Sequence, residues 1–223
     1  MKKLLAIVIS ISLLFAFASC GADKDSINNA INSAVNDVVS TIISKFALGE
    51  VSGQVYENEY IGIGCQLSND WVFYSEDQIK ELNNMAAEIA GEDYKQLMEN
   101  ADVVYDMMGQ TTDLTSTVEL VMEKFDPSEI GLVDLKFSLE ATIPTLTSTY
   151  EGMGFSNVQT EITTLTFAGE ECDALNLSAE INGYNFYLTT VMLKADSHVV
   201  SVGVGSFNKT TVDTVLSNFY ALN

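Results

Sequence analysis

Apolar positions along this chain change period several times, and each change marks a different element. Residues 4–18 form a nearly unbroken apolar run behind Met1-Lys2-Lys3. Between 27 and 46, Ile27, Ile31, Ala34, Val38, Ile42 and Phe46 recur at helical spacing with Asn, Ser and Asp between them. That spacing predicts an amphipathic helix, built from asparagines and β-branched residues that are mediocre helix formers. Gly49 and Gly53 close it.

From about residue 54 the pattern becomes mixed. Residues 60–67 and 71–74 read as paired strands around the turn Ser68-Asn69-Asp70. Ser75-Glu76-Asp77-Gln78 is a capping-box start, followed by Ile79, Leu82, Ala86 and Ile89 on one helical face, with Gly91 at the stop. A short helix over 92–100 follows, then strands near 103–110 and 116–125. In the latter, Val118, Leu120 and Met122 alternate with Glu119 and Glu123, which predicts a sheet with one wet face. Leu132, Leu135, Leu139, Ile143, Leu146, Tyr150 and Met153 keep helical spacing across Pro144, where a kink or interruption is expected. Strands near 156–167, 172–181, 184–193 and 199–207 form a meander. Asn182-Gly183 between two of them is a strong hairpin signal, because the tight turn needs positive φ at both positions. Thr211 is placed to cap a final helix with Val212, Val215, Leu216, Phe219 and Leu222 on its face. Strands in series followed by helices predict an α+β fold, an antiparallel sheet of about six or seven strands sandwiched by helices, in one domain over 54–223.

The N-terminus carries an address. A short cationic region, a hydrophobic stretch and small residues describe a secretory signal, and the stretch falls short of the roughly 20 apolar residues that span a bilayer. Ala18-Ser19-Cys20-Gly21 resembles the lipobox of bacterial lipoproteins, with Phe17 where leucine is usual. The resemblance implies a signal peptide over 1–19, a diacylglycerol on the Cys20 thiol, a helical tether over 20–53 and a location on the extracytoplasmic face of the membrane. Gly21 stands where an aspartate would signal inner-membrane retention in two-membrane bacteria. The tether has three destinations open to it: the bilayer surface, for which it is short of lysines, the domain, or a partner helix.

Charge narrows the partners. Thirty-one acids face 10 basic residues, all lysine, for a formal charge of −21, and loss of Lys2 and Lys3 with a signal peptide makes it more negative by two. Such a surface repels phosphate backbones and lacks the arginine fork that reads bases, which argues against nucleic acid. Beyond Cys20 only Cys65 and Cys172 remain. Export permits a disulfide; strand alternation puts Cys65 on an apolar face and Cys172 on a polar one, which favours two free thiols.

Tyr56-Glu57-Asn58-Glu59-Tyr60-Ile61-Gly62-Ile63, then Leu67, Trp71, Phe73 and Ser75-Glu76-Asp77, resemble the opening of small secreted bacterial lipoproteins related to the PsbP-like α/β sandwich, named for an extrinsic photosystem subunit. Asn69 stands where that family often has proline. The resemblance covers most of 54–223 and implies a fold and a binding or assembly role. It implies no reaction, and no functional residue carries over beyond Cys20.

Chemistry is sparse. His198 is the single histidine, in the turn Asp196-Ser197-His198-Val199, and no Gly-x-Ser-x-Gly elbow accompanies it. One histidine and two spare cysteines leave zinc without a ligand set. Gly203-Val204-Gly205 lacks the third glycine and the lysine of nucleotide loops and reads as strand. Glu170, Glu171 and Asp173, and the pair Glu57 and Glu59, do not follow calcium-loop spacing. Trp71, Phe73 and Tyr74 read as core aromatics, and Met85, Met98, Met107, Met108 and Met122 as core filler. Tyr184, Phe186 and Tyr187 place aromatics on both strand faces, the outward set forming a candidate partner or ligand patch. The expectation is a lipid-anchored binding or assembly protein without catalytic centre, metal or cofactor, whose partner is an envelope protein or cell-surface component. The alternatives are a small-ligand or cation binder and, further off, an envelope hydrolase using carboxylates. Replacing the anchor tests the first step: Cys20→Ala is expected to move the chain from the membrane to the soluble fraction, and an alanine variant that stays membrane-bound contradicts the lipobox reading.

Overall fold

The computed structural model describes residues 46–84, 91–126 and 128–222. The expected signal peptide, Cys20 and the tether up to residue 45 lie outside the described residues, as do Met85, Ala86 and Ile89. Two antiparallel sheets form the domain. A four-stranded sheet runs β1 (Glu50–Ser52), β2 (Val55–Asn58), β3 (Ile63–Gln66) and β11 (Phe219–Ala221). The larger sheet has β4 (Trp71–Phe73), β5 (Val103–Thr111), β6 (Ser116–Lys124), β7 (Ser156–Phe167), β8 (Glu170–Ile181), β9 (Tyr184–Ala195) and β10 (His198–Ser206), in the order β4-β5-β6-β10-β9-β8-β7. The described helices are α1 (Glu76–Leu82), α2 (Gly91–Asn100), α3 (Leu135–Gly152) and α4 (Lys209–Ser217).

Alternation along the central strands sorts side chains into two apolar layers. Leu120, Met122, Val200, Val202 and Val204 face the small sheet, where Tyr56, Cys65 and Phe219 meet them together with Met98 of α2 and Val212, Val215 and Leu216 of α4. Leu175, Leu177, Phe186, Leu188 and Met192 face the other way, under Leu139, Leu146 and Tyr150 of α3. The α+β class holds, and the sandwich has a second sheet in one of its outer layers.

The meander follows its turn chemistry. Asn182 and Gly183 take φ values of 52° and 82°, and Ala168 and Gly169 between β7 and β8 take 49° and 89°. Both hairpins are therefore of the two-residue kind that matches strand twist. Ser75 caps α1 with a full capping box, as expected, but the helix ends at Leu82 with Asn83 as its cap. Pro144 lies inside α3, which runs unbroken from Leu135 to Gly152.

Several expectations are corrected. The strands near 60–67 and 71–74 do not pair with each other: β3 lies between β2 and β11, while β4 pairs with β5. Ser68-Asn69-Asp70 is thus a crossing between sheets. The packed chain starts before residue 54, because β1 pairs with β2 and Phe46 is buried in the core. Asn208 rather than Thr211 caps α4, its side chain accepting from the Thr210 amide. That helix stops at Ser217, and Phe219 enters the core from a strand. Leu132 sits in a 3-10 turn, Ile130–Leu132, and is 84% exposed. Cys65 and Cys172 are free and both pack against the layer between the sheets.

Glu119 is the largest correction. The alternation is right, but the face expected to be wet is covered, and Glu119 is only 3% exposed, with Oε1 lacking a partner among the described residues. Gly203 stands beside it on β10, and its charge is felt by Tyr150 of α3. Burial pushes its carboxyl up to about 8. A carboxyl protonated in the fold and ionised in the unfolded chain costs stability as pH rises from about 4.5 to 8. Glu119→Gln is therefore expected to gain about 3 kcal/mol on the native chain between pH 5 and pH 8. Thermal unfolding at both pH values checks this, and an unchanged difference contradicts it.

Candidate functional site

The best-defined polar arrangement is centred on Asp106, an acid inside the apolar run of β5. The pairing of β5 with β6 shifts register between Tyr105 and Met107, so Asp106 occupies a bulge and turns toward the small sheet. Asn83 at the end of α1 stabilises the bulge from its other side. Its side-chain amide donates to the Tyr105 carbonyl at 2.7 Å, and its oxygen accepts from the Tyr105 amide at 2.8 Å.

Four donor contacts converge on the buried Asp106 carboxylate. The Gly49 amide reaches Oδ1 at 2.9 Å and Oδ2 at 3.0 Å, the Asn58 amide reaches Oδ2 at 2.7 Å, and the Tyr56 hydroxyl donates to the same oxygen. Every one of these donors is neutral. Burial raises the Asp106 pKa, and the bonds from Tyr56, Asn58 and Gly49 pull it back down. Gly49 has to be glycine here, since a Cβ would come within 2.2 Å of the Tyr56 ring. Asn58 extends the network: it also donates to the Ala47 carbonyl and accepts from the amides of Tyr60 and Ile61. Segment 47–49, β2 and the turn after it are thus all referred to one carboxylate on the large sheet.

Above this centre lies an open cleft of about 920 Å³, at the mouth between the two sheets. Gly49 to Val51 form one side and the β4 edge with Tyr74 the other, with Ile79 of α1 and Tyr94 and Lys95 of α2 closing the end. The two helices are tied across it by Lys80, which is buried, pairs with Glu76 at 2.7 Å and lies 5.3 Å over the Tyr94 ring. Ladder bonds of β4 fall on alternate residues: the Thr112 amide donates to Asp70 and the Tyr74 amide to Met108, with Val72 opposite Gln110 between them. The main-chain groups of Trp71 and Phe73 consequently point away from β5. Gln54, in the β1–β2 turn, donates its side-chain amide to the Trp71 carbonyl at 3.3 Å, and its buried Oε1 has no partner among the described residues.

The other singled-out residues fall apart in space. Phe186 is fully buried in the α3 layer, stacking near Tyr150 and Phe155, while Tyr184 is 68% exposed at the hairpin and Tyr187 packs toward the opposite layer. Of the aromatics expected on the two faces of this strand, only Tyr184 stands outward with most of its surface exposed. His198 is buried at the start of β10 with Phe46 and Tyr60 against its ring, and the Tyr60 hydroxyl lies 2.7 Å from Nδ1. Burial and the nearby Lys124 charge push it down to about 4, so it is neutral at neutral pH. Gly205 lets the Phe186 ring approach β10, with 3.1 Å to a would-be Cβ. Glu57 accepts from the Tyr220 hydroxyl at 2.8 Å. Among the described residues no group of histidines, cysteines and acids is arranged to hold a metal ion, and no helix is long and apolar enough to cross a membrane. Sequence reading passed over Asp106, whose signal was one acid in Val103-Val104-Tyr105-Asp106-Met107-Met108.

No protein family matches the chain, and no curated protein does. Among solved structures it is similar to LpqN, described as involved in cell envelope biogenesis of Mycobacterium tuberculosis, at 12% sequence identity. The match covers 72% of this chain and 83% of that one, with a TM-score of 0.33. A likeness of that size leaves fold and site to rest on this chain's own residues.

Removing the Asp106 carboxylate strands the buried donors of Tyr56 and Asn58 and the half-buried Gly49 amide. Asp106→Ala is expected to cost about 3 kcal/mol in urea unfolding and Tyr56→Phe about 1 kcal/mol. A loss under about 1 kcal/mol for the alanine variant contradicts the assignment.

Proposed function

We propose that this chain is a lipid-anchored binding or assembly protein on the extracytoplasmic face of a bacterial membrane, acting without catalysis and holding an envelope protein at the cleft. The cleft carries the reading. Its volume lies in the range of binding sites, and aliphatic and aromatic walls surround a few placed polar groups. The lipobox at Cys20 supports the anchor, and the PsbP-like resemblance is in keeping with a binding role. Two titratable groups that could do chemistry have structural duties: the Asp106 oxygens are taken up by Gly49, Tyr56 and Asn58, and His198 sits in an aromatic cluster.

A small-ligand reading draws on the same volume. Photo-crosslinking from position 51, in place of half-exposed Val51, decides between the two readings in intact cells. One dominant envelope protein is expected from position 51, absent from position 132 on exposed Leu132 and diminished in a Cys20→Ala background. Recovery of the same abundant proteins from both positions contradicts the partner reading. In that case a compound that raises the melting temperature and is blocked by substitution at Tyr94 would assign the cleft to a small ligand.

A further inference from the structure

We infer that the cleft takes an extended, cationic polypeptide segment that adds as a strand along the edge of β4 that no described strand pairs with; this rests on the partner reading above and specifies its chemistry.

The first ground is the edge itself. β4 ends the seven-stranded sheet, and its outward-pointing groups belong to Trp71 and Phe73. The two Trp71 groups are already bonded, its amide to the Ser68 carbonyl and its carbonyl to Gln54. Phe73 has no hydrogen-bonding partner for either main-chain group among the described residues. Natural sheets usually cover or charge such an edge, whereas here it forms the wall of a cleft. Gln54 shows what the edge accepts, since a side-chain amide stands there in the place of a neighbouring strand's N–H.

Strand geometry then sets the pattern of the guest. The residue opposite Phe73 turns its N–H and C=O to β4 and its side chain to the face that Phe73 shares with the inter-sheet layer, toward Ile79 and Tyr94. Its neighbours on either side point away, beside exposed Val72. Apolar residues are therefore wanted at alternate positions. Charge gives the remainder: Glu76 at the cleft is held by Lys80, Glu50 carries no ion pair among the described residues, Lys95 is the one lysine of the described lining, and the chain has a formal charge of −21. Flanking lysines or arginines on the guest complement that rim.

The probe is acetyl-Lys-Val-Thr-Val-Thr-Val-Lys-amide, titrated into the full lipidated chain in detergent micelles. Calorimetry reads the affinity, and the Phe73 amide in nitrogen-15 NMR reads the site. Saturable binding is expected, with the Phe73 amide shifted and slowed in exchange. Methylating the main-chain nitrogen of the central valine is expected to weaken binding at least about tenfold, while methylating a threonine that faces away is expected to leave it within about threefold. A peptide with glutamates for lysines is expected to bind about tenfold more weakly, and Glu50→Lys to narrow that gap. No saturable binding, equal affinity for both methylated peptides, or an unmoved Phe73 amide overturns strand addition. If position 51 still crosslinks a single envelope protein after such a result, the partner reading stands and only the mode of binding falls. If neither is seen, both fall together.

Discussion

A carboxylate buried with no cation beside it among the described residues must be satisfied by dipoles, and that constraint organises the front half of this domain. Asp106 sits on a bulge of the large sheet, and its neutral donors come from the chain leading into β1 and from β2. Burying an ionised carboxylate costs several kcal/mol unless hydrogen bonds replace its water. The donors therefore cannot drift independently: Gly49, Tyr56 and Asn58 hold one arrangement together. The close contact between Gly49 and the Tyr56 ring follows from that convergence.

Apolar burial supplies the mass of the fold but would allow the small sheet to slide over the large one. Tyr56, Cys65 and Phe219 meet Leu120, Val202 and Val204 across a layer of branched side chains with little directional preference. The Asp106 network adds direction, fixing where β1 lies relative to β4 and so how wide the cleft opens. Asn83 does the same from α1, holding the helix to the main chain of β5 beyond the point where short β4 stops. Lys80, in the same helix, links α1 to α2 over the Tyr94 ring. The shape of the cleft is thus a consequence of three polar attachments on an otherwise apolar scaffold.

Local rules made the C-terminal meander legible in advance. Asn182-Gly183 requires its turn, and β7 to β10 lie close to where alternation puts them. Long-range choices were not readable. Residues 60–67 and 71–74 carry strand signals that say nothing of which sheet each joins, and Ser68-Asn69-Asp70 looks the same as a hairpin turn or a crossing. Glu119 and Glu123 alternate as on a wet face, yet both are buried, because covering that face is a tertiary event. Asp106 was hidden for the same reason: one acid in a strand gives no hint that Gly49, Tyr56 and Asn58, about 50 residues away, complete it. Alternation already divides the aromatic run at 184–187 between two faces, but the cover over each is tertiary: Phe186 lies under α3 and Tyr187 against the inter-sheet layer.

Hydrogen exchange on Asp106→Ala, compared with the native chain, tests most directly whether that carboxylate holds the two sheets in register. If it does, amides of 49–58 and 62–66 lose protection by local opening, while those of β8, β9 and β10 keep protection close to that set by global unfolding. A uniform loss over all strands would mean that the carboxylate adds only to overall stability, and would contradict the account of how the cleft is built.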